Sequence, residues 1–127
     1  MTNKPEPTFD RDGYPTDETL DAIEKWHHLD ATGCLDFVKA AWYYQDNDFH
    51  ELRPHELRMV YAPDFGEEQP KFLRLATGGW SGNEALVGAL ERNFVVYSLT
   101  WRLSSRGGLH IFEYPKHESE RKDDDQT

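Results

Sequence analysis

Residues 97 to 114 read Tyr-Ser-Leu-Thr-Trp-Arg-Leu-Ser-Ser-Arg-Gly-Gly-Leu-His-Ile-Phe-Glu-Tyr, and their alternation decides the fold class. Tyr97, Leu99, Trp101 and Leu103 take every second place, with Ser98, Thr100, Arg102 and Ser104 between them. A period of two belongs to a strand that buries one face. Ser105-Arg106-Gly107-Gly108 supplies a turn, and Leu109 to Tyr114 resumes an extended run, so the stretch predicts a β-hairpin. The natural register sets Trp101 against Ile111 and Leu103 against Leu109 on the core side. The other face then shows Ser98, Thr100, Arg102, His110, Phe112 and Tyr114, which suit a recognition surface or ordinary solvated strand positions equally.

Working back from the hairpin, Asn83 to Arg92 predicts a short helix that buries Leu86, Val87 and Leu90. Phe72 to Thr77 reads as a strand. Leu57, Met59 and Tyr61 alternate with Arg58, Val60 and Ala62 and predict another, joined to it by the polar connection Pro63 to Pro70. Further upstream the period changes to that of helices. Pro15 with Thr16 or Asp17 opens one that carries Leu20, Ile23 and Trp26 inward, with His27 at its end. Thr32 is a suitable N-cap for a second, whose stripe is Leu35, Val38, Ala41 and Trp42 and which Asp46, Asn47 and Asp48 end. The expected architecture is α+β: two helices, then β-β-α-β-β, with an antiparallel sheet of about four strands and helices on one face. Residues 1 to 13 and 115 to 127 are expected to be disordered tails, the second acidic, around a single domain from 14 to 114.

Composition narrows the function classes. A chain of 127 residues that is 37% apolar, with four Trp, six Tyr and seven Phe, has the material for one core. Its formal charge of −10 repels nucleic-acid phosphates and anionic lipid, so direct duplex binding is disfavoured. The charge is uneven: residues 17 to 68 hold 13 acids and four bases, whereas 69 to 114 hold three acids and five bases. The acidic half is read as solvated helix faces or as a surface that competes with nucleic acid for a basic partner. Cys34 stands alone and reads as a small core residue. No run approaches the ~18 apolar residues of a membrane span. Met1 to Asp12 lacks the basic-then-apolar pattern of a secretory signal, and a cytoplasmic location is expected.

Candidate site residues gather near Thr77-Gly78-Gly79-Trp80-Ser81-Gly82-Asn83-Glu84, between a strand and a helix. Ser81 and Glu84 have capping-box spacing. The pair Gly78-Gly79 implies positive φ or the close approach of another backbone or a ligand, and Trp80 beside it is either a contact residue or a core staple. A phosphate loop is disfavoured because no Lys follows the glycines and Glu84 would oppose an anion at the helix start. A serine nucleophile is disfavoured because Asn83 stands where the G-x-S-x-G elbow ends in Gly. His50-Glu51-Leu52-Arg53-Pro54-His55 is no H-E-x-x-H zinc site: its histidines are five apart and Pro54 interrupts. His27 and His28 are expected on different helix faces. No catalytic residue, metal site or cofactor is expected. The candidate binding set is Gly78, Gly79, Trp80, Asn83, Arg102, Arg106 and His110.

Three blocks carry a resemblance: Gly13-Tyr14-Pro15-Thr16, the Thr77 to Glu84 stretch, and Trp101 with Ser105-Arg106-Gly107-Gly108. In order and spacing across residues 13 to 114, the chain resembles short uncharacterised proteins encoded by tailed bacteriophages and prophages. Those relatives often carry His after the second turn glycine, where this chain has Leu109. The resemblance implies a phage or mobile-element origin and a life in the host cytoplasm, and brings no activity with it. Aromatics and arginines cluster in the segment that is not acidic, so the leading expectation is a non-enzymatic binding protein that acts through Trp80, Arg102, Arg106 and the last hairpin, with a host or phage protein as partner. The alternatives are an acidic nucleic-acid mimic that inhibits a host DNA-binding or defence protein, and a small nucleotide-binding module or enzyme.

Overall fold

Thr16 ends an extended lead-in and caps α1 (Asp17–Glu24), its hydroxyl accepting the Thr19 amide, in a computed structural model that describes residues 6–43, 51–60 and 71–115. Ile23 is fully buried, and Leu20 and Trp26 pack against the core as their spacing predicts. A single 3₁₀ turn, His28–Asp30, leads into α2 (Ala31–Ala41). This helix starts one residue before the expected cap Thr32. Asp30 occupies the cap position, but its carboxylate accepts the Trp26 indole N–H at 2.9 Å instead of a helix amide. The stripe Leu35, Val38, Ala41 and Trp42 is buried throughout. Cys34 is buried too, and burial, with the charge of Asp30 adding to it, pushes its thiol up to about 12.

Two expected extended stretches are helical instead. Residues 57 to 60, expected in a strand, belong to α3 (Pro54–Val60), while 61 and 62 lie outside the described residues, as does the Pro63 to Pro70 connection. Pro54 stands at the first helical position, where its missing N–H costs nothing. Glu56 then accepts the Arg53 amide at 2.9 Å, which is half of a capping box. Glu56 and Val60, four apart, are buried, whereas Leu57 and Met59 are exposed. Spacing by four, not by two, is the period that the fold uses.

The same holds for Tyr97 to Thr100. They sit in α5 (Phe94–Thr100), which follows α4 (Ser81–Arg92) with only Asn93 between. Asn93 accepts the Val96 amide and donates its side-chain N–H to the carbonyls of Ile23 and Trp26, both at 2.9 Å. One buried amide therefore starts α5 and satisfies carbonyls at the end of α1. Val96 and Thr100 point inward.

β1 (Phe72–Ala76), β2 (Trp101–Ser105) and β3 (Leu109–Glu113) form an antiparallel sheet in the order β1-β3-β2. Five helices and three strands make an α+β fold; the fourth expected strand is not among the described elements. β1 pairs with β3, Leu73 opposite Phe112, and not with residues 57 to 60, which are helical. The hairpin register also differs from expectation. Trp101 faces Phe112 and Leu103 faces Ile111, with an irregularity between them. That bulge at Arg102 inserts one residue, so parity counted along β2 fails beyond it.

Phe112 and Tyr114, expected on the outer face, lie in the main core with Leu73 and Leu75. Burial of a Phe or Leu side chain contributes ~1.5–3 kcal/mol, enough to select this register over one that exposes Phe112. Arg74 and Ile111 face the opposite way. There α3 covers the sheet: Glu56 binds Arg74 Nε at 2.9 Å and the Val60 carbonyl binds Arg102 at 3.0 Å. Helices consequently lie on both faces of the sheet. Burial pushes the Glu56 carboxyl up, but the hydrogen bonds from the Arg53 amide and Arg74, together with the charges of Arg74 and His55, outweigh it and hold it below the ordinary value.

The first residues also differ from the expected tail. The Thr8 amide donates to Thr19 Oγ1 at 2.8 Å and Phe9 bridges Pro15, so residues 8 to 13 form a loop against α1. Pro115 is the last described residue of the expected C-terminal tail.

Candidate functional site

The β1–α4 junction turns on Gly78 and Gly79, at φ 64° and 77°, where a Cβ would be strained. This turn brings the Trp80 amide to the Thr77 carbonyl at 3.2 Å. The Thr77 amide in turn donates to the Gly108 carbonyl at 3.0 Å, so the tip of the last hairpin adjoins the glycine pair. Gly108 has φ 84°, and a Cβ there would collide with the Thr77 hydroxyl. Both glycine pairs are thus part of one junction.

Trp80 holds the N-cap position of α4 without a side-chain cap, and Ser81 is the first helical residue. The expected Ser81–Glu84 capping box is not formed. The Trp80 ring instead lies over Gly82, the space being available because Gly82 has no Cβ. It stacks on Tyr14, with ring centroids 5.0 Å apart and planes at 24°, and meets Tyr43 at 4.9 Å. Tyr14 is set by a tight turn in which the Asp10 carboxylate accepts the amides of Asp12 and Tyr14, with Gly13 at φ 88°. Asn83 is fully buried: it accepts the Tyr43 amide at 3.0 Å and donates to the Thr77 carbonyl at 3.3 Å. Named as a binding residue from sequence, Asn83 is instead the tie that fixes Tyr43 beside Trp80.

An open cleft of about 200 Å³ adjoins this cluster, lined by Phe9, Gly13, Ala41, Trp42 and Tyr43. Tyr43 is 60% exposed and Trp80 is half-buried. Trp80 Nε1 has no hydrogen-bond partner among the described residues. The rim is aromatic, with tyrosine rings and one indole N–H, a chemistry of contact and orientation. Sequence reasoning missed Phe9 and Tyr43 as site residues. Tyr43 follows the buried stripe of α2 by one position, and an aromatic just off an inward face was the available signal.

The remaining expected residues fall elsewhere. Arg102 pairs with Glu113 at 2.9 Å and with the Val60 carbonyl, on the α3 side of the sheet. Arg106 is exposed at the hairpin turn, near the glycine junction in sequence, and makes no ion pair among the described residues. His110 stands opposite Leu75, on the other side from Arg102. The arginine–histidine face expected on the hairpin is therefore divided between two sides.

His110 belongs to a second cluster. Its Nδ1 lies 2.8 Å from Ser104 Oγ, which also accepts the Trp101 indole N–H at 2.8 Å. Burial holds the His110 imidazole below its usual range, against the opposing charges of Glu91 and Glu84. Ser104 and His110 share a hydrogen bond whose direction the imidazole tautomer sets, and a serine oxygen already occupied by an indole N–H is a poor nucleophile. The cluster locks the β2–β3 end of the sheet.

No three His, Cys, Asp or Glu side chains come together among the described residues. His55 lies 4.0 Å from Glu56, and His50 is outside the described residues. His27 and His28 stack at 4.7 Å instead of pointing apart, because the chain has left α1 before reaching them. Among the described residues no helix is long and apolar enough to cross a membrane. Compared with protein-family models, curated proteins and solved structures, the chain matches none.

Proposed function

We propose that this chain is a non-enzymatic binding protein of phage type, and that its contact surface is the aromatic cluster of Tyr14, Tyr43 and Trp80 with the cleft beside it. The partner is a host or phage protein. One observation carries the reading: three sequence-distant blocks meet at this place. Tyr14 from the first stacks on Trp80 from the second, and Thr77 bonds Gly108 from the third. Half-exposed tyrosine and tryptophan supply large contact area at small conformational cost, which favours protein recognition. Arg106, exposed at the turn two residues before Gly108, which bonds Thr77, is the charged group assigned to its border.

Mimicry of nucleic acid is the weaker reading. It needs free carboxylates, yet of Asp17, Asp21, Glu24 and Asp36, Asp21 pairs with Lys25, Glu24 with Arg92, and Asp36 accepts the Tyr114 hydroxyl. A nucleotide module at the glycine turn also loses support, since Glu84 sits in the first turn of α4.

Affinity capture from a lysate of phage-bearing bacteria, with the captured protein identified by mass spectrometry, tests the proposal. Tyr43→Ala and Arg106→Ala should each reduce recovery of that protein by about tenfold, which corresponds to ~1.4 kcal/mol. Arg102→Ala should leave it unchanged. Undiminished recovery by folded Tyr43→Ala and Arg106→Ala variants would sink the proposal.

A further inference from the structure

The cleft beside the aromatic cluster has a size and a charged border that together select what enters it. Its volume of about 200 Å³ lies below the ~300–1,000 Å³ of small-molecule sites, so it suits a single side chain. Phe9 and Tyr43, 44% and 60% exposed, contribute aromatic rings. Ala41 and Trp42 form its buried part, and the Trp42 indole N–H is already given to the Ala76 carbonyl at 3.2 Å. None of the described residues that line it carries a charge.

The border is different. Residues 6 to 24 hold seven acids and one base, Arg11, and Phe9 and Gly13 of the lining belong to this stretch. Asp10 and Asp12 stand between those two lining residues. The Asp10 carboxylate is held by the amides of Asp12 and Tyr14, at 2.9 and 3.0 Å, and neither Asp10 nor Asp12 makes an ion pair among the described residues. Amide hydrogen bonds fix a carboxylate without cancelling its charge. A negative loop beside aromatic rings, whose faces are themselves negative, attracts a cation. An aliphatic side chain would fill the same space and leave that field unanswered.

We propose that the cleft receives an arginine side chain of the partner protein. A guanidinium is flat and weakly hydrated, stacks on aromatic rings and directs its N–H groups in plane toward carboxylates. Lysine, a compact and strongly hydrated charge, suits the same rings less well. The assignment rests on the reading of the aromatic cluster as a contact surface and adds the chemistry of the group that enters it.

The probe is a blocked glycine-arginine-glycine tripeptide, with citrulline in place of arginine as the uncharged control of the same shape. Titrated into the isotope-labelled full chain and followed by nuclear magnetic resonance, the arginine peptide should shift the backbone amides of Phe9, Gly13 and Tyr43. Added salt should weaken it. The citrulline peptide should bind about tenfold more weakly, and Phe9→Ala and Tyr43→Ala should each weaken arginine binding by a similar factor. Absence of these shifts up to the solubility limit of the arginine peptide overturns the proposal, as does equal binding of the citrulline peptide. Shifts spread along the acids of α1 and indifferent to Tyr43→Ala also overturn it, because they report a loose counter-ion. The titration needs no partner, so its failure is separate from that of the contact surface. Capture that depends on Tyr43, with no binding of the arginine peptide, removes the arginine and leaves the surface; arginine binding, with capture indifferent to Tyr43, removes the surface and with it the partner's arginine.

Discussion

Two tryptophans, each beside a tyrosine, are used in opposite ways. Trp101 stacks with Tyr97 at 6.0 Å and gives its indole N–H to Ser104, which is also held by His110. Trp80 lies between distant parts of the chain, against Tyr14 and Tyr43, with its N–H unused among the described residues. The first cluster spends its polar groups internally and holds one end of the sheet. The second is assembled by the fold yet keeps hydrogen-bonding capacity at a cleft. Of the two clusters, the second is the one on which the proposed contact surface is built.

The contrast can be broken hardest where the two clusters share support. Gly108 touches Thr77, one residue before the glycine pair, and lies two residues before His110. Gly108→Ala combines positive-φ strain with a collision and should cost about 2–4 kcal/mol in denaturant unfolding. It should disturb the fluorescence of both tryptophans. Ser104→Ala comes next. Loss of the hub should cost about 1 kcal/mol and mobilise Trp101, with Trp80 left as it was. Equal disturbance of both rings would mean that the clusters are not separate.

Protonation offers a gentler probe of the Trp101 cluster. The folded pKa of His110 is lowered, so the unfolded chain binds the proton more readily. Its contribution is intact above the ordinary imidazole value near 6.5 and is lost as pH falls from there through the folded pKa. Stability should decline over that window, and His110→Gln should flatten the decline. The smallest effect belongs to Tyr43→Ala. An exposed ring should cost no more than ~0.5 kcal/mol while changing capture strongly. A large loss of stability would make the Trp80 cluster a structural support like the other.

Much of the helical half was legible because its signals are local. Thr16 caps a helix through its own hydroxyl, and the stripe Leu35, Val38, Ala41 and Trp42 needs only a period of 3.6 residues. Leu57 to Val60 and Tyr97 to Thr100 misled because a short apolar alternation fits a strand as well as two buried positions four apart. Glu56 and Asn93 decide those segments through hydrogen bonds that composition does not display. Of the candidate residues, Gly78 and Gly79 take the positive φ that the glycine pair implies and Trp80 stands beside them, whereas Asn83 is a buried tie and Arg102 and His110 lie on different sides of the sheet.

Local chemistry in the sequence determined the turns at Gly78-Gly79 and Gly107-Gly108, the capped first helix, the buried cysteine and the single hairpin. Those features need only neighbours along the chain. Tertiary structure alone decided the strand order, the bulge at Arg102 that moves Phe112 into the core, and the meeting of Tyr14, Tyr43 and Trp80. Contacts between residues tens of positions apart are selected by how much apolar surface the whole fold can bury at once, and no local pattern carries that information.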